Sequence, residues 1–146
     1  MKDSPMNAVP MLRGVIHQFM TRDLGARRDP DELAAAAINI CATLLKVLSP
    51  LLGNVGSQAL FRRSLKLTEG TFPYYREARS AEDDALLDAV GACLRRQQQD
   101  VALEASVALL VAFVELLATF IGERLTWQLL QETWPDIPPF PSEEKQ

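Results

Sequence analysis

Apolar residues recur along this chain at intervals of three and four, the spacing of helices with one buried face, and no stretch alternates apolar and polar residues long enough to form a strand. Val9, Leu12, Ile16 and Phe19 mark a first helix over roughly 8–22, ended by Gly25 and the charged run Arg27-Arg28-Asp29. The next start is the clearest. Asp29 is a capping residue, Pro30 fits the first turn, and Asp31 and Glu32 suit the positive end of the helix dipole. This second helix runs from Leu33 to about Leu48. Its polar residues Asn39, Thr43 and Lys46 share a narrow stripe, so burial on most sides is expected. Ser49-Pro50 breaks or kinks it, because proline lacks a backbone donor and crowds the preceding turn. Gly53 and Gly56 follow, then a third helix over about 54–68, with Leu52, Val55, Ala59 and Leu60 predicted to face the core and Arg62, Arg63 and Lys66 to face elsewhere.

Residues 70–80 read as a loop, bounded by Gly70 and Pro73 and carrying Phe72, Tyr74 and Tyr75. Ser80-Ala81-Glu82-Asp83 opens a fourth helix, whose apolar face is Leu86, Leu87, Val90, Cys93 and Leu94 and whose end carries Arg95 and Arg96. Gln97-Gln98-Gln99 is either a connection or a continuation. A fifth helix starts near Asp100 and extends to about Thr133, bent at Gly122. Pro135, Pro138, Pro139 and Pro141 forbid regular structure beyond it. The pattern predicts an all-α, single-domain bundle of five or six helices over 1–135, with a central apolar helix near 100–121 and a proline-rich, disordered tail over 136–146.

The segment SVALLVAFVELLATFIG (106–122) holds one charge, Glu115, inside an otherwise apolar run. A membrane-spanning helix needs about 20 apolar residues. This run is shorter, contains a carboxylate and has no cationic flank before it, so no membrane span is expected. Ala105, Ala108, Ala112, Glu115, Thr119, Gly122 and Thr126 fall on one seam, small except for the glutamate, which predicts a tight neighbour along it. A buried Glu115 then needs Arg62, Arg63, Lys46, a water or a proton, since an unpaired buried charge is very costly. The alternatives are a ligand-contacting carboxylate and an exposed edge position.

Composition narrows the chemistry. The chain has 146 residues and a formal net charge of −4, so it lacks the basic footprint of a nucleic-acid binder. Two cysteines, Cys41 and Cys93, are too few for a disulfide scaffold and read as reduced thiols of a cytoplasmic protein. The start, MKDSPMNAVPMLRG, carries no apolar core of a secretory signal. His17 is the single histidine and has no serine or cysteine beside it, so neither a nucleophile triad nor a metal cluster is written in the chain, and no cofactor is expected. Gly53-Asn54-Val55-Gly56 lacks the Gly-Lys-Ser/Thr ending of a phosphate loop and reads as a turn. Arg62, Arg63 and Lys66 form a basic patch, either paired with Glu82, Asp83 and Asp84 or able to grip an anion. Tyr74, Tyr75, Trp127 and Trp134 are the aromatic candidates for a partner contact, with covering the core as the alternative.

Two segments, PLLGNVGSQALFRRSLKLTEGTFP (50–73) and LLATFIGERLTWQLLQETWP (116–135), resemble a group of bacterial helical proteins to which no activity is assigned. The resemblance spans about a third of the chain. It implies a bacterial, all-helical protein and carries no catalytic residues across. The resulting expectation is a non-enzymatic regulatory or protein-interaction module, forming a homodimer and needing neither nucleic acid nor membrane. The alternative is a small-molecule sensor with a pocket near Glu115 and Glu115 or Arg62 as its polar handle.

Overall fold

A computed structural model of the chain describes residues 13–18 and 29–134. Every regular element among them is helical, as the spacing of apolar residues predicts. Residues 13–18 are helical (α1), with Val15 and Ile16 buried. Then come α2 (Pro30–Thr68), α3 (Tyr75–Arg79), a 3-10 turn (Asp83–Ala85), α4 (Leu86–Arg95), α5 (Gln99–Ile121) and α6 (Glu123–Thr133). The remaining span of the expected first helix and the tail 136–146 lie outside the described residues.

The start of α2 forms as the sequence predicts. Asp29 is extended (φ −65°, ψ 148°) and its carboxylate accepts from the Asp31 N–H at 2.9 Å, with Pro30 opening the first turn. The helix is broken at Gly53, whose φ of 80° and ψ of 163° lie in a region that only glycine adopts readily. So α2 is two arms, proximal (30–52) and distal (54–68); two helices form as expected, but the break falls at Gly53 and not at Ser49-Pro50, and Pro50 stays inside the proximal arm. Gly122 does the same between α5 and α6, at φ 95° and ψ 152°. Its amide still donates to Ala118, so α5 closes cleanly before the turn.

Two contacts fix how the elements lie. Phe61 of the distal arm meets Phe113 of α5 edge-on, ring centroids 5.4 Å apart. The Tyr75 hydroxyl, one short turn beyond the end of the distal arm, donates to the Ala105 carbonyl at 2.7 Å. Moving toward Thr68 on one helix therefore corresponds to moving toward Gln99 on the other: the pair is antiparallel. The same register brings Gly53 level with Ile121 and Gly122, so both kinks occupy one end of the bundle. Meanwhile α4 lies along the proximal arm. A Cβ at Gly91 would stand 3.3 Å from Ile38 Cγ1, and Arg95 reaches Asp31 at 3.9 Å.

The core is built from the proximal arm, the inner face of the distal arm, α4 and α5. Leu33, Leu48, Phe61, Leu65, Leu94, Leu110 and Phe113 are almost wholly buried, and complete burial of such a side chain contributes about 1.5–3 kcal/mol. Residues 99–121 form the apolar helix expected at the centre.

Three expectations need correction. Residues 75–79 are helical rather than loop. A five-residue helix has no stability of its own; this one is held by Tyr75 and Ala78, buried at 0% and 1% exposure. The fourth helix begins as a 3-10 turn before Leu86 rather than directly after Ser80. Third, Val55 and Ala59 are exposed, and the distal arm turns Ser57, Leu60, Phe61, Ser64, Leu65 and Thr68 inward instead.

Candidate functional site

The sequence-predicted site residues do not come together. Glu115 is exposed and makes no ion pair among the described residues. The seam of small residues has no tight neighbour along most of its length: Ala108 and Ala112 are half-buried, and Thr119 and Gly122 are exposed. Instead, α5 meets the distal arm through its large side chains, Phe113 foremost. The edge alternative for Glu115 is the one realised, and the expected buried carboxylate does not exist.

Arg62 is occupied elsewhere. Its two guanidinium nitrogens donate to the carbonyls of Arg79 and Ala81 at 2.6 and 2.7 Å. These carbonyls end α3 and lead toward α4, and a planar fork is well shaped to satisfy two of them at once. The open polar groove beside it, about 560 Å³ and bordered by Ser80, Glu82 and Asp84, therefore has its central cation already engaged.

The aromatic candidates are core pieces. Tyr75 is 0% exposed and Trp127 3%. Tyr74 is half-buried, its ring 5.4 Å from Tyr75 and 6.2 Å from Phe72. Trp134 is half-buried against the core. Burial pushes the Tyr75 hydroxyl well above its usual range and the Cys41 thiol up to about 12. Cys93 donates to the Tyr74 carbonyl at 3.3 Å, and burial raises its thiol despite the nearby Arg96 guanidinium. A thiol held protonated in this way is a packing group, not a nucleophile. Among the described residues, no three His, Cys, Asp or Glu side chains are grouped to hold a metal ion. His17 is exposed on α1.

What the sequence reading missed is the end of the bundle where the two kinks meet. Leu51 (52% exposed) and Val55 (82%) flank Gly53; Phe120 (64%) and Leu125 (41%) flank Gly122. Phe120 lies two turns beyond Phe113 on the same face of α5. It stays exposed because the distal arm, which covers Phe113, ends at that level. Together these four expose on the order of 400 Å² of apolar surface, a total comparable to the largest apolar patch of an ordinary soluble monomer, which is often functional. The runs that carry Leu51, Val55 and Phe120 are uncharged: residues 47–61 and 116–122 contain no ionisable side chain, whereas Leu125 follows Glu123 and Arg124. That signal was readable in the sequence, but only the register of the two helices shows that the two uncharged runs adjoin.

Two helices, Pro30–Thr68 and Gln99–Ile121, are long and apolar enough to cross a membrane; the apolar window of Gln99–Ile121 is 67% buried inside the bundle, as befits a core helix. Comparison with family models, curated proteins and solved structures finds no match for this chain.

Proposed function

We propose that this protein is a non-enzymatic regulatory or protein-interaction module of a bacterial cytosolic system, working as a homodimer. One observation carries the reading: the large apolar side chains Leu51, Val55, Phe120 and Leu125 stand exposed near the two glycine kinks. Depletion of charge around exposed large apolar side chains is the compositional mark of an interface centre. Nothing in the core requires these four residues to stand in solvent, and keeping them there costs solubility. Glu115 stands exposed and Arg62 is engaged by the carbonyls of Arg79 and Ala81, which supports the interaction module over the sensor alternative.

Sedimentation velocity of the full chain over a hundredfold concentration series tests the proposal. A dimer at micromolar concentration is expected. A monomer throughout, with no partner retained on a column of the immobilised chain, would overturn it.

A further inference from the structure

We propose that the cleft between α3 and α4 binds a short aliphatic carboxylate, with the Arg96 guanidinium holding its head. This does not rest on the reading of the protein as an interaction module, so either can fail without the other.

The spacing of α4 builds one wall. Ala89, Ala92, Cys93 and Arg96 recur at intervals of three and four, so they share a face. The other side of α4 is committed to the core: Val90 and Leu94 are wholly buried, and Gly91 lies against Ile38 of the proximal arm. Ala78 and Ala81, in α3 and the turn after it, supply the second wall, with Glu77 on the rim. Two contacts set the walls apart. Arg62 holds that turn by the carbonyls of Arg79 and Ala81, and the Cys93 thiol ties α4 to the Tyr74 carbonyl at 3.3 Å. Between them remains a cleft of about 290 Å³. Methyl groups line both sides of it, where packed elements ordinarily interdigitate larger side chains. Apolar space with one or two charged groups at its mouth is the usual form of a small-molecule site.

Size and lining choose the ligand. The volume lies at the low end of the roughly 300–1,000 Å³ of such sites, and at about 30 Å³ per water-sized group it holds roughly nine non-hydrogen atoms. The alanine methyls suit a hydrocarbon tail. For the head, Arg96 Nη2 donates to one Glu77 oxygen at 3.1 Å and stands 3.7 Å from Cys93 Sγ. That contact uses one nitrogen of a fork shaped for both oxygens of a carboxylate. The pair is also a surface one, with Arg96 55% and Glu77 70% exposed, and such pairs hold weakly. A ligand carboxylate therefore displaces Glu77 like for like and fills the cleft with its tail. An ammonium head would instead meet the fixed positive charge of Arg96, and a metal ion would find a single carboxylate.

The experiment titrates the full-length chain near pH 7, where a fatty acid is ionised, with hexanoate, butyrate, hexylammonium and hexanol, followed by NMR amide shifts. Hexanoate should bind saturably with a Kd of about 1 mM and move the amides of Ala78, Ala81, Ala92 and Cys93. Butyrate should bind more weakly, by about fourfold for each methylene lost. Arg96→Gln should weaken hexanoate by at least about tenfold and leave hexanol unchanged. Glu77→Gln frees the fork and should tighten hexanoate by about two- to fivefold, a gain that no purely structural role supplies. Ala89→Leu fills the cleft and should abolish binding; Ala92→Leu, at an exposed position, reads the same wall should the first variant unfold. The proposal is overturned by a parent that shows no saturable shift with hexanoate, by hexanoate binding that survives Arg96→Gln or both leucine variants, or by hexylammonium binding more tightly than hexanoate. Shifts that gather at Leu51, Val55 and Phe120 instead would mark unspecific adsorption to exposed hydrocarbon and overturn it as well.

Discussion

Replacing Gly53 by alanine separates backbone cost from packing cost unusually well. A Cβ at Gly53 meets nothing within 4 Å, so there is no steric term. The same is true at Gly122 and Gly70. The difference lies in φ: 80° at Gly53 and 95° at Gly122, whereas Gly70 lies outside the left-handed range. Holding an L-residue in the region occupied by Gly53 costs about 1–3 kcal/mol. Against this, alanine stiffens the unfolded chain and returns about 0.4–1 kcal/mol. The net expectation is a loss of about 1–2 kcal/mol for Gly53→Ala and for Gly122→Ala, and none for Gly70→Ala. At this chain length that corresponds to a fall in Tm of roughly 3–8 °C. Urea unfolding followed by circular dichroism at 222 nm measures all three, at one protein concentration so that self-association does not move the midpoint. If Gly53→Ala proves as stable as Gly70→Ala, the helix passes straight through position 53 and the two-kink architecture is wrong.

Three further outcomes follow from the hydrogen bonds and burial. Ser57→Ala should be neutral or stabilise by up to about 1 kcal/mol in urea titration, because the buried Ser57 hydroxyl has no partner; a loss of 1 kcal/mol would show that it has one. Arg62→Met keeps the packing of the stem but abandons the carbonyls of Arg79 and Ala81, and should cost about 2 kcal/mol in the same titration; an unchanged midpoint would remove Arg62 from the scaffold. Burial raises the folded pKa of Cys41 and Tyr74 to about 12 and pushes the Tyr75 hydroxyl well above its usual range, so the folded state keeps protons that the unfolded state releases from pH 9 upward. Stability should be fully present below pH 9 and decline above it, by up to about 1.4 kcal/mol per pH unit for the fully buried Cys41. Cys41→Ala should shallow that decline, and a flat profile to pH 11 would contradict the burial.

The legible parts of the fold were those governed by neighbouring residues. Asp29 and Pro30 announce a helix start and Gly122 a bend, because capping and backbone freedom act within a few positions, whereas the break expected at Ser49-Pro50 falls three residues later at Gly53. Misreadings came where a side chain answers to something distant. Val55 was assigned inward on apolarity alone, yet the inner face of the distal arm carries Ser64 and Thr68, whose hydroxyls bond the carbonyls of Leu60 and Ser64 four residues back and so enter a core at little cost. Ser57 would bond the carbonyl of position 53 in the same way, but that residue has left the helix. Glu115 looked buried because its neighbours along the chain are apolar, whereas the register of Phe113 with Phe61 decides which side of α5 faces water. Arg62 looked like a ligand grip because the carbonyls it holds belong to Arg79 and Ala81, 17 and 19 residues away.

The ion pairs Arg79–Glu69 (2.9 Å), Arg96–Glu77 (3.1 Å), Arg76–Glu69 and Arg95–Asp31 all gather at the end remote from the kinks. Among the described residues, these four ion pairs lie toward one end and the exposed Leu51, Val55 and Phe120 toward the other, so the two ends differ as an ionic and an apolar pole. The two poles should answer to different solutes. Sodium chloride screens the ionic pole and leaves the apolar one nearly untouched. Ammonium sulfate, excluded from hydrocarbon surface, drives the apolar pole out of water. Ionic strength and salting-out power, usually varied together, become separate handles on the two ends of one small bundle.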